Sequence, residues 1–124
     1  MATLSKTLTI TSAAGDLLSD ALALSMNKDV TIAAGAVMKL VTVGSNTTLC
    51  DALGRSIVYL KNTSSSDTIT VHTDKDDDGT GDAIALILEI KGGEFAVLPA
   101  ALDHKLLATA SNSPKIEVGI FTEA

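Results

Sequence analysis

Aspartates crowd one short stretch of this 124-residue chain. Asp74-Lys75-Asp76-Asp77-Asp78-Gly79 reads D-x-D-x-D-G, the opening of a calcium loop. Calcium takes several hard oxygens at alternating positions, and the glycine permits the sharp bend. An EF-hand loop would go on to a bidentate Glu where this chain has Ala85. Asp82 supplies a further oxygen within reach. The candidate metal ligands are therefore Asp74, Asp76, Asp78 and Asp82, with calcium as the ion. The competing reading is a solvated hairpin loop whose charge keeps neighbouring particles apart.

The remaining reactive side chains are few. His72 and His104 lie far apart in sequence, and neither has a Cys or carboxylate at ligand spacing. Zinc needs three or four closely set nitrogen or sulfur donors. Cys50 is the single cysteine. It lies between Leu49 and Leu53, the setting of a small buried hydrophobe rather than of a nucleophile. One cysteine makes no intrachain disulfide. There is no G-x-S-x-G elbow and no phosphate-cradling glycine loop ahead of a helix. The expectation is a chain that is not an enzyme.

Composition narrows the partners. Net charge is −6 and the pI is near 4.6. Nucleic-acid binding draws its affinity from neutralising phosphates with a basic face, which this chain lacks. The same charge opposes adhesion to anionic membranes. No apolar run is long enough to span a bilayer, and Met1 to Lys6 lacks the apolar stretch of a secretory signal. Synthesis in the cytoplasm is expected. Aromatics are only 2% of the chain, Tyr59, Phe95 and Phe121, so stacking platforms for sugars or bases are not expected.

The elements that must carry these residues read as short strands. Leu4, Lys6, Leu8 and Ile10 alternate with Ser5, Thr7, Thr9 and Thr11. A turn follows at Ala13-Ala14-Gly15-Asp16. Residues 14–26 are open between helix and strand. The preferred reading is a strand over Ala21 to Met26, with a tight turn at Asn27-Lys28-Asp29 into Val30-Thr31-Ile32. Val37, Lys39, Val41 and Val43 share one side, opposite Met38, Leu40 and Thr42; apolar character on both sides suggests a central strand. Ile57 to Lys61 and Thr68 to Thr73, joined by the polar Asn62 to Asp67, read as a hairpin. Gly92-Gly93 turns the apolar run Ile84 to Lys91 into Glu94 to Leu98, which Pro99 ends. Ile116, Val118 and Ile120 share a face of the last strand. The sum is one all-β domain over residues 1–124, a β-sandwich or barrel of about eight to ten short antiparallel strands.

Two segments carry a resemblance. Val58-Tyr59-Leu60-Lys61-Asn62-Thr63 through Ile69-Thr70-Val71, and later Gly93-Glu94-Phe95-Ala96-Val97-Leu98-Pro99 with Gly119-Ile120-Phe121, resemble the small structural proteins of tailed phages, especially marine and cyanobacterial ones. The resemblance covers residues 57–122. Ala100-Ala101 stands where the similar proteins usually carry a Trp, and the acidic loop reads as an insertion. The resemblance implies a virion component: a capsid decoration (cement) protein bound between capsomers, with the major capsid protein as partner, or else a tail, baseplate or fibre subunit. It carries over no catalytic residue. A homo-oligomer, trimer or dimer, is expected, with residues 1–12 as a docking or exchanged N-terminal strand. A calcium-dependent binding module is the reading from outside that class.

Overall fold

The structure, a computed structural model, describes residues 2–13, 22–33, 35–74 and 86–124. Among them are ten strands and no helix, and thus no helix long and apolar enough to cross a membrane. The chain divides into two compact units, Met1–Ala34 with Ala124, and Gly35–Glu123.

The first unit is a two-stranded antiparallel ribbon of β1 (Ala2–Ser12) and β2 (Leu22–Ile32). Every β1 residue has a partner, from Ala2 opposite Ile32 to Ser12 opposite Leu22. The turn expected at Asn27-Lys28-Asp29 does not form. Those residues lie inside β2, opposite Thr7, Lys6 and Ser5, and Ser5 Oγ donates to Asp29 Oδ1 at 2.6 Å. An eleven-residue partner strand satisfies their backbone better than a tight turn would. Residues 14–21, where the turn and the helix alternative were placed, lie outside the described residues; from Leu22 onward the chain is strand.

The second unit is a sandwich of two four-stranded antiparallel sheets, not a closed barrel. The front sheet has the order β3 (Val37–Thr42), β10 (Lys115–Thr122), β5 (Leu53–Asn62), β8 (Phe95–Leu102). The back sheet has the order β4 (Thr47–Cys50), β9 (Lys105–Thr109), β6 (Ile69–Asp74), β7 (Leu86–Ile90). Alternation places Val58, Leu60, Ile116 and Val118 on the inner side of the front sheet, and Ile69, Val71, Leu106 and Ala108 on that of the back sheet. All eight are buried, and Val43, Leu49, Cys50, Ile90 and Ile120 join them in the core.

Two expected pairings fail. Ile57–Lys61 and Thr68–Thr73 are not a hairpin, because β5 belongs to the front sheet and β6 to the back. The polar segment between them is an arch that carries the chain across the sandwich. Asn62 explains the choice. Its side chain is buried, its Nδ2 donates to Asp67 O at 2.7 Å and to Ile90 O at 3.0 Å, and its Oδ1 accepts from Ser64 N at 3.0 Å. Those bonds tie the end of β5 to the edge of the other sheet. Gly92-Gly93 does make a turn, with Glu94 N–H donating to Lys91 O, but it too joins strands of different sheets. A Cβ on Gly92 would lie 2.6 Å from Ser65 C and Ser66 N, so the two arches are in backbone contact there. The expected central strand, β3, is instead an edge strand, pairing among the described residues with β10 alone.

At the other end, the β4–β9 pair runs on into the β5–β8 pair through the short connections Asp51-Ala52 and Asp103-His104. The register shifts once in each ladder, between Thr48 and Cys50 and between Leu53 and Ser56. Strands that change sheet through such irregularities close the corner of a sandwich.

Candidate functional site

Asp74 is the last residue of β6 and the only one of the four expected metal ligands among the described residues; Asp76, Asp78 and Asp82 lie outside them. Asp74 is buried and stands opposite Lys105 in the β6–β9 register. Among the described residues no group of three or more His, Cys, Asp or Glu side chains is set to hold a metal ion.

His72 is on the same outward side of β6 as Thr70 and Asp74. Its Nε2 lies 3.2 Å from Thr70 Oγ1, and its buried Nδ1 has no hydrogen-bond partner among the described residues. His104 is exposed in the two-residue connection between β8 and β9. Cys50 is buried on β4 opposite Leu106 and makes no disulfide. Burial pushes its thiol pKa up, and nearby Asp51 adds to this. Lys39 and a backbone hydrogen bond with Leu106 pull the other way without cancelling it. A reactive thiol needs the opposite, a stabilised thiolate. Two shallow clefts of about 390 Å³ each lie along β7 and β8 and around the β8 corner, the first beside Glu89 and Glu94, the second lined by apolar residues such as Val58, Pro99 and Leu106.

The arch between β5 and β6 is knit by its own side chains. Ser64 Oγ donates to Asp67 Oδ2 at 2.8 Å and accepts from Asp67 N at 3.0 Å, and Asn112 Nδ2 donates to Asp67 Oδ1 at 2.9 Å. The Asn112 bond, then the Ser64 bond, hold the Asp67 carboxyl below its ordinary pKa.

Among the described residues the structure assembles two exposed apolar faces. On the ribbon, Leu8 stands opposite Met26 and Ile10 opposite Leu24, and all four side chains are exposed. Lys6 stands opposite Lys28 on that face, while the other face carries Ser5, Thr7, Thr9 and Asp29. On the outer side of the front sheet, two rows cross all four strands. One runs Met38, Gly119, Tyr59, Val97 and the other Leu40, Glu117, Lys61, Phe95. Met38, Leu40, Phe95 and Val97 are 48–63% exposed. Tyr59 Oη donates to Glu117 Oε2 at 3.1 Å, and partial burial followed by that carboxylate raises the phenol pKa. The signal for this second face was in the sequence, as apolar residues on both sides of 37–43. That pattern belongs equally to a strand buried between two layers.

Comparisons with known proteins add nothing to set beside this geometry: no family model, no curated protein and no solved structure matches the chain.

Proposed function

We propose that this chain is a non-catalytic structural protein of a phage virion, and specifically a capsid decoration protein that binds between capsomers through the major capsid protein and stabilises the head. The observation that carries the reading is the β1–β2 ribbon. It is a separate unit with four large apolar side chains, Leu8, Ile10, Leu24 and Met26, exposed on one face. A two-stranded ribbon is marginal in water without a surface to pack on. Burying those four side chains removes about 400 Å² of apolar area from water, on the order of 10 kcal/mol before the cost of association. The Lys6–Lys28 pair on the same face favours a partner surface that carries acidic groups. Residues 1–12, expected as a docking strand, thus act together with β2. The resemblance over residues 57–122 directs the reading to a virion, and the decoration role is the member of that class a small docking domain fits.

Cryo-electron microscopy of particles carrying the protein tests the location. Density between capsomers supports the reading; density confined to the tail or baseplate replaces it with the tail-subunit alternative. Leu8→Ser combined with Met26→Ser should lower binding to particles that lack the protein by at least about a hundredfold, the loss expected of two apolar anchors. Unchanged binding would remove the ribbon from the interface.

A further inference from the structure

We infer that the outer face of the front sheet is a two-fold interface with a second copy of this chain. The edges of the sandwich are poor places for such a contact. β3 carries Lys39 on its core-facing side, opposite Val118. β8 does not end at Pro99, as expected, but carries it within the strand and runs on to Leu102; β4 is four residues long, and β7 pairs with β6 through a register shift. Inward charges, prolines, short strands and irregular ladders all discourage edge pairing. The front face has no such guard.

Its residue order is self-complementary. An isologous contact requires that if residue i meets residue j, then j meets i. A two-fold axis parallel to the strands, midway between β10 and β5, reverses the order across the sheet. Leu40 then faces Phe95 of the second copy, Met38 faces Val97, and Glu117 faces Lys61. Each contact occurs twice. Glu117 and Lys61 are the acid and the base of these two rows, so the patch is neutral on a chain of charge −6. Tyr59 holds the Glu117 carboxylate from within the same face. A second copy is the occupant that supplies both countercharges at the required positions.

The area is sufficient for a weak dimer. On average the four exposed apolar side chains leave just over half of about 200 Å² in water, roughly 450 Å² per copy. Two copies with Tyr59, Lys61 and Glu117 added reach about 1,000 Å², the low end of specific interfaces. Association in the micromolar range is expected.

Sedimentation equilibrium of the full chain, from about 1 to 500 µM, tests this. A monomer–dimer equilibrium is expected. Glu117→Lys and Lys61→Glu should each weaken it by at least about tenfold, because each places like charges across the axis twice. Combining both substitutions restores the pairing and should bring Kd back to within about threefold of the parent. Phe95→Ser, at an exposed site, should also weaken it, and it serves if either charge variant fails to fold by circular dichroism. A monomer throughout, a trimer or larger species, charge variants without effect, or failure of the double variant to recover would each overturn the inference. The Leu8→Ser, Met26→Ser ribbon variant should leave the dimer unchanged, so this interface and particle binding fail or stand separately.

Discussion

Asn62→Ala should be among the most damaging single substitutions in the sandwich, although it removes no hydrophobic side chain. Asn62 is fully buried and makes three bonds to backbone groups. Its removal leaves Asp67 O and Ile90 O without that donor and Ser64 N without that acceptor. Each group stranded away from water costs about 1–3 kcal/mol. The Asp67 and Ser64 bonds are only part-buried, so water recovers some of the loss, and about 3 kcal/mol in total is expected. For a unit of this size that is a fall in Tm of about 16 °C. Asn62→Asp sharpens the test. It keeps the acceptor for Ser64 but turns an acceptor toward two carbonyls and brings a buried charge. At pH 7 it should be worse than Asn62→Ala. Protonation restores one donor, so its folded pKa is raised, and the deficit should shrink as pH falls into the range of that raised pKa. Urea titration followed by far-ultraviolet circular dichroism measures both variants. If Asn62→Ala loses less than about 1 kcal/mol, or if Asn62→Asp is the milder change at neutral pH, the arch does not depend on this amide.

Gly92→Ala should destabilise by about 2–3 kcal/mol in the same titration, because its Cβ would sit 2.6 Å from Ser65 and Ser66 backbone that cannot swing away. Gly119→Ala should cost about 1 kcal/mol or less, since the atom it meets at 2.6 Å is the thioether of the flexible Met38. Asp67 has a depressed folded pKa, so its contribution is full above the unfolded value near 3.9 and is lost as pH falls through the folded one. Acid titration of Asp67→Asn against the parent should show their stability difference closing below about pH 4; a constant difference would mean the carboxylate charge is irrelevant. Cys50, buried with a raised pKa, should react with an aromatic disulfide reagent only as fast as the sandwich opens, and at once in denaturant. Rapid labelling of the native chain would contradict that placement.

Sequence alone determined the class of structure and the side each residue takes. Alternation has a fixed period of two, so Leu8 with Ile10, Val58 with Leu60, and Ile116 with Val118 had to share faces wherever their strands went. It determined as well that Cys50 would be buried, because its neighbours are apolar. Pairing partners were beyond it. A polar run between two alternating segments reads the same as a hairpin loop or as an arch between sheets, since its local backbone needs are alike. Only where Asn62 sends its amide, to Ile90 on another strand, separates the two. Asn27-Lys28-Asp29 similarly reads as a turn until an eleven-residue β1 lies alongside it. The acidic loop drew first attention because chemistry is local and visible in a short motif. The two apolar faces were decided by tertiary structure, because a face is a sum over strands distant in sequence: Met38, Val97, Phe95 and Leu40 become one surface only after β3, β10, β5 and β8 are set side by side.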